Sequence, residues 1–174
     1  MLDVTDRPGN PSELLVRPAL EFAGLVHSGE VSAQELVEGA LSRLEEHEWR
    51  IGTFCFVDAE RALAEAERIS SDDPRPFAGV PIAIKDGTLQ DGLPMRIGSA
   101  LFKGYVADYD GASIKRFREA GLVPIGRTTM PEFGILPTTE PRLTGPTATP
   151  GTSRERPVGP RAAPLRRLLR VMFL

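Results

Sequence analysis

The sequence has one cysteine in 174 residues, Cys55, so no internal disulfide can hold it together. Cys55 lies between Phe54 and Phe56 in a strand-like run, where the role of a small buried hydrophobe is expected. Histidine is nearly as scarce. His27 and His47 stand near the ends of predicted helices with no second ligand at metal-binding spacing, which argues against a zinc site. No apolar run approaches the roughly 20 residues needed to span a bilayer. The first ten residues, MLDVTDRPGN, carry no signal-peptide apolar core, so a cytoplasmic protein with no membrane partner is expected. A dominant charge is missing too: the formal net charge of −3 gives no general case for binding nucleic acid. There is no internal repeat.

What is present is ordinary until the end of the chain. Hydrophobic residues make up 41% and charged residues 26%, and the length suffices for one compact domain with a real core. The even charge conceals an asymmetry. From Pro150 to Leu174 there are six arginines, no lysine and one acid, Glu155, so this tail carries +5 and the remainder −8.

The N-terminal third reads as helical. Ala19, Phe22, Ala23 and Val26 recur at helical spacing until Ser28-Gly29-Glu30 breaks the pattern. Ser32 followed by Glu35 has capping-box spacing, and Leu36, Val37, Ala40, Leu41 and Leu44 then form one apolar stripe. A short strand is expected over 53–57, then a helix from Asp58 to about Ile69, then a loop over 70–76. From Gly79 the pattern changes. Val80-Pro-Ile-Ala-Ile84 is a continuous apolar run that predicts a strand covered on both faces. A helix over 111–120, capped by Asp110 and stopped by Gly121, leads to a second apolar strand, Leu122 to Gly126. Strand, helix and strand in this order imply an α/β layer arrangement.

The apolar run ends on Lys85, which poses a chemical question. An unpaired lysine is costly to bury. Either the strand ends here with Lys85 in water or paired with Asp86, or the amine is desolvated so that it can act as a base. Residues alone favour the first.

Three segments bear on the choice: FAGVPIAIKDG at 77–87, GLPMRIGSALF at 92–102, and the stretch from Asp110 through AGLVPIGRTTMPEFG to PTTE at 137–140. Together they resemble the amidase signature family, with order and spacing agreeing from about Ala19 to Gly145. The resemblance implies the first strands and helices of a mixed-sheet amidase core, incomplete here, preceded by N-terminal helices. It also implies hydrolysis or transfer of amide groups by a serine, a second, bridging serine in a cis peptide, and a lysine. Lys85 matches that lysine and is the catalytic residue the resemblance assigns. A lysine in water, with a pKa of about 10.4, is protonated and useless as a base. Desolvation would lower that value and let the amine take a serine proton. Arg127, Thr128, Glu132 and Thr138-Thr139-Glu140 match segments near the family's active site, Arg127 and Glu132 reading better as a polar network that holds a loop. Ser99 is in no nucleophile-elbow pattern, and Ser113 reads as a solvated helix residue. No cofactor and no metal is implied, and the partner is a small-molecule amide.

The family pattern stops at Gly145-Pro-Thr147. The Gly-Ser-rich loop expected next, which supplies the bridging serine and oxyanion donors, is replaced by ATPGTSRERPVGPRAAPLRR, and two of the three catalytic groups are missing. The run RPVGPRAAP at 156–164 can be encoded so that another frame reads PGGSAGGA, close to the missing loop. The sequence is thus read as residues 1–147 of an amidase-type domain followed by a tail, 148–174, that is out of frame, the product being truncated and inactive. Two rivals stand beside this reading. One is a non-catalytic binding module whose basic tail is functional. The other is a part resembling the amidase-type component of a tRNA amidotransferase, or one half of a split enzyme.

Overall fold

A computed structural model describes residues 17–139 and Thr147. The described chain forms helices α1 (Ala19–His27), α2 (Ala33–Ile51), α3 (Ala59–Ala66) and α4 (Ala112–Glu119) and strands β1 (Phe54–Val57), β2 (Pro81–Lys85) and β3 (Val123–Thr128). The strand order is β1-β3-β2. β1 and β3 are antiparallel, with Phe54 opposite Thr128 and Val57 opposite Gly126, and the register shifts between Phe54 and Phe56. β2 and β3 run parallel: Val123 N donates to Val80 O at 2.9 Å and Asp86 N to Thr128 O at 3.1 Å. A mixed sheet follows, with α4 as the crossover that a parallel pair requires.

The chain divides into two compact units. Among the described residues the first comprises 17–43, 59–82 and 117–125, the second 44–58, 83–116, 126–139 and Thr147. In the first unit Phe22, Ala23, Val26, Val31, Leu36 and Val80 form an apolar core, joined by Leu25, Ile69, Phe77 and Leu122. Local chemistry sets its helices. α1 stops where Gly29 turns at φ 72°, a conformation glycine adopts without penalty. Ser32 N donates to Glu35 Oε2 at 2.8 Å and Glu35 N to Ser32 Oγ at 3.1 Å, the reciprocal capping box at the start of α2. Gly79 has to be glycine: its φ is +79°, and a β-carbon would lie 2.4 Å from that of Ala33. α3 ends at Ala66, and the chain reaches Ile69 through a tightened turn in which Ile69 N donates to Ala66 O at 3.0 Å.

One strand expectation is corrected. Among the described residues β2 is not covered on both faces. Ile84 is buried, whereas Ala83 and Lys85, on the opposite face, are exposed. The described residues supply cover for one face only.

Candidate active site

Lys85 is the last residue of β2, and side chains alternate along a strand, so Asp86 points away from it. The structure separates the two completely. Lys85 is exposed; Asp86 is 3% exposed and faces the interior of the second unit. The expected desolvation of Lys85 is therefore not provided by the described residues, and its alternative partner, Asp86, is otherwise engaged.

Asp86 is the centre of a buried polar cluster. Arg127 Nε donates to Asp86 Oδ1 at 3.3 Å, with both side chains almost wholly out of water. The Arg96 amide donates to Oδ1 at 3.2 Å and the Gly98 amide to Oδ2 at 3.4 Å. Arg127 comes from β3, whose central place in the sheet buries it fully, and its Nη2 donates to Thr88 O. A carboxylate with three donors and a guanidinium spanning two acceptors offset much of the cost of burying opposite charges. The cluster pins the turn after β2, from Asp86 to Thr88, and so fixes the backbone that carries Lys85.

A second clamp holds the facing loop. Ser99 Oγ donates to Glu132 Oε1 at 2.6 Å, and Phe133 N donates to Ile97 O at 2.9 Å. Ile97 and Phe133 both take positive φ, 52° and 53°, uncommon for residues with a β-carbon. Gly98 closes the contact, since a β-carbon there would meet Met130 O at 2.4 Å. Arg127 and Glu132 each hold a loop, but in two separate clusters rather than the one network expected, Arg127 through Asp86 and Thr88 and Glu132 through Ser99, which is a clamp residue. Ser113 is exposed on α4. Thr138 and Thr139 belong to the run following Glu132, while Glu140 and the tail 148–174 lie outside the described residues.

Cys55 on β1 is half-buried, with Sγ 3.5 Å from Arg127 O. Burial, and then the negative charge of Asp86, push its thiol up to about 12 from an ordinary 9.0. It is a weak nucleophile, which agrees with the packing role expected of it. His27 places Nδ1 2.8 Å from Ala23 O and Nε2 2.9 Å from Asp73 O, a structural bridge in the first unit. Among the described residues no three His, Cys, Asp or Glu side chains converge on a point that could hold a metal ion. None of the described helices is long and apolar enough to cross a membrane.

Sequence reasoning missed Asp86 as the hub and the pair of positive-φ residues. Strand alternation is the signal for the first: consecutive Lys85 and Asp86 cannot share a face. The second has no local signal.

The geometry can be set beside known proteins. The amidase family model matches residues 35–159. The glutamyl-tRNA(Gln) amidotransferase of Streptomyces coelicolor has one component that is 35% identical over 153 residues, 85% of this chain and 31% of that protein. The corresponding component from Salinispora arenicola is 38% identical over 80% of this chain and 29% of its own length. Among solved structures, 6-aminohexanoate cyclic dimer hydrolase superposes with a TM-score of 0.71 at 35% identity, covering 76% of this chain and 27% of that one. Fatty acid amide hydrolase, at 18% identity and a TM-score of 0.77, shares the fold. The chain spans about a third of the length of the curated relatives it matches. With the lysine-ended strand, the buried Asp86–Arg127 pair and a match over most of its length, the chain belongs to the amidase family, the amidase signature enzymes.

Proposed function

We propose that this chain carries the lysine of an amide hydrolase and that Lys85 is its base. The observation that supports the reading is the placement of Lys85: it ends β2 on a backbone fixed by the Asp86–Arg127 cluster, with its amine uncommitted to Asp86. In the reaction the neutral amine receives the proton of a serine hydroxyl, relayed through a bridging serine. The serine oxygen attacks the amide carbon, and backbone N–H groups stabilise the oxyanion. The carbon–nitrogen bond then breaks, the proton passes to the leaving amine, and water hydrolyses the acyl ester. Both serines and the cover that desolvates Lys85 come from beyond the described residues.

The test is Lys85→Ala and Lys85→Arg in a gene whose frame is restored to the family pattern after Thr147. Both variants should lose acylation by at least about a thousand-fold, because alanine holds no proton and an arginine stays charged. Turnover at the parent rate in either variant overturns the role. The tail 148–174 we read as out of frame, which sequencing the gene across residues 140–174 and beyond checks directly. One inserted or lost base that opens a Gly-Ser-rich frame is expected; an unbroken frame with no such loop refutes it.

The substrate is a carboxamide. Two classes follow from the relatives: a linear or cyclic amide, as for the 6-aminohexanoate hydrolase, and the amide of glutamine, as for the tRNA amidotransferase components. The stretches MRIGSALF and FGILPTTEP resemble those of broad amide hydrolases more than those of the glutamine-using component, and on that resemblance we favour the first. Hydrolysis of a cyclic amide without glutamine turnover is the expected result in the restored enzyme, and ammonia release from glutamine alone would reverse the assignment.

A further inference from the structure

Three chain ends meet at one end of the sheet. β2 and β3 run parallel and finish together, with Asp86 N donating to Thr128 O at 3.1 Å. Antiparallel β1 begins at the same end, where Phe54 stands opposite Thr128. Lys85 therefore closes β2 on one flank of β3, and Gly52 and Thr53 lead into β1 on the other. Sites in sheets with parallel strands gather outside the carboxyl ends of those strands, where the backbone of several elements converges. Thr129, the residue after β3, leans to the β1 side, its amide donating to Thr53 O at 2.7 Å.

At this end two half-buried threonine hydroxyls are paired. Thr129 Oγ1 and Thr147 Oγ1 lie 2.8 Å apart, with Gly52 O 3.0 Å from the second and Thr53 O 3.1 Å from the first. One placement of the two protons uses the shortest contacts. Thr53 O already accepts the Thr129 amide, so the Thr129 hydroxyl donates to Thr147, and Thr147 donates on to Gly52 O. Bonds in such a chain polarise one another, and each strengthens the next. The acceptor is itself anchored, since Gly52 N donates to Glu48 O of α2 at 2.7 Å. Thr147 is also held through its backbone, its amide donating to Thr139 O at 2.9 Å. Residues 140–146 lie outside the described residues.

We propose that Thr129 and Thr147 are positioning residues for the amide chemistry. Their hydroxyl pair latches the chain to the end of the sheet that carries Lys85, and so sets the point from which the segment bearing the bridging serine departs. Thr147 closes the family pattern in the sequence, which makes it the last fixed point before that segment. The latch needs nothing beyond Thr147: its partners Gly52, Thr53, Thr129 and Thr139 are all in place, so the departure point is preorganised. Precision matters here because a bridging serine must stand within hydrogen-bond reach of the Lys85 amine, and a misplacement of about 1 Å costs about a hundred-fold in rate. Valine keeps the shape of threonine without the hydroxyl. At position 147 it would leave Gly52 O and the Thr129 hydroxyl without their partner. The inference rests on the amide-hydrolase reading above, and the lysine variant below separates the failure of one from the failure of the other.

The latch itself is tested in the 174-residue chain by amide hydrogen exchange. The Thr147 amide should be protected, and Thr129→Val, which removes only the facing hydroxyl, should speed its exchange by about ten-fold. A Thr147 amide that exchanges at the open-chain rate in the parent refutes the latch. Its consequence is tested in the enzyme whose frame is restored, as the single-turnover acylation rate on 6-aminohexanoate cyclic dimer, a rate constant that does not depend on the fraction of molecules folded. Thr147→Val should slow acylation by about thirty-fold with KM within about two-fold of the parent. Thr147→Ser keeps the hydroxyl and should recover most of that loss. Thr129→Val combined with Thr147→Val should cost no more than Thr147→Val alone, because the pair acts as one unit. Parent-rate acylation in Thr147→Val, or Thr147→Ser as slow as Thr147→Val, overturns the positioning role. If Lys85→Ala abolishes acylation while Thr147→Val does not slow it, the positioning role alone falls. If hydrolysis survives Lys85→Ala, the amide-hydrolase reading fails and the positioning role falls with it.

Discussion

The two units treat the same kinds of residue differently. In the first, apolar side chains close on one another: Val26, Leu36, Val37 and Val123 are buried and Leu20 is the one large apolar side chain exposed among its described residues. In the second, a buried ion pair, Asp86 and Arg127, sits among buried apolar residues such as Ile84, Met95 and Ile114, while Leu101, Phe133, Ile135 and Leu136 face outward. The first unit has the energetics of a finished core, in which burial of carbon supplies the stability. The second has the energetics of a scaffold. Its ion pair fixes the turn after Lys85, and the Ser99–Glu132 and Ile97–Phe133 hydrogen bonds hold the 132–136 run. A buried pair of this kind does more for a defined geometry than for stability, because desolvation cancels much of its attraction.

The sharpest way to break the comparison is to remove one charge from the second unit. Asp86→Asn leaves Arg127 buried without its counter-ion and should destabilise the chain by about 4 kcal/mol in urea unfolding. A loss below ~1 kcal/mol would mean that the cluster is solvated and organises nothing. The thiol of Cys55 reports on the same region. Raised to about 12 by burial and by Asp86, it should react with a maleimide at pH 8 about a thousand-fold more slowly in the folded chain than in urea. Its folded value lies above its unfolded one, so the stability it contributes is complete below pH 9.0 and is lost as pH rises from there through about 12. Asp86→Asn removes the second cause of the shift and should speed the folded reaction. A parent thiol that reacts at the unfolded rate would show that β1 is open to solvent.

Truncating carbon should then separate the units. Leu36→Ala removes a fully buried side chain and should cost about 3 kcal/mol, whereas Ile135→Ala should stay within ~0.5 kcal/mol. Equal costs would place Ile135 in a core and remove the distinction between the units.

How far all this is legible in the sequence depends on distance along the chain. The capping box was readable because Ser32 and Glu35 are three residues apart and their bonds need nothing else. The partial burial of Cys55 is legible in its two phenylalanine neighbours. The engagement of Asp86 was not, because its partner lies 41 residues away and local pattern cannot choose among the arginines. Five apolar residues in a row imply coverage of both faces of β2. Such a run records that burial is favourable, not which part of a chain provides it, and the cover for Ala83 is not among the described residues. Lys85 was found by resemblance; from residues alone a strand-end lysine in water is the better reading, and its exposure in the described chain agrees with that.

The smallest expected effect tests the clamp under the outward face. Ile97 holds φ 52°, a conformation in which a β-branched side chain crowds its own backbone and asparagine is comfortable. Ile97 is only half-buried, so Ile97→Asn gives up part of one side chain's burial and regains part of the strain. The two terms oppose each other at about 1 kcal/mol each, leaving a net change within ~0.5 kcal/mol of zero. Ile84→Asn, the same exchange at a buried strand position with ordinary backbone, has no strain to release and should cost several-fold more. If the two variants unfold at the same urea concentration, Ile97 is a core residue, and the loop is held by packing alone. If Ile97→Asn is neutral, the positive φ is a cost that the Phe133 and Glu132 hydrogen bonds impose, and the 132–136 run keeps its shape at the expense of its own backbone.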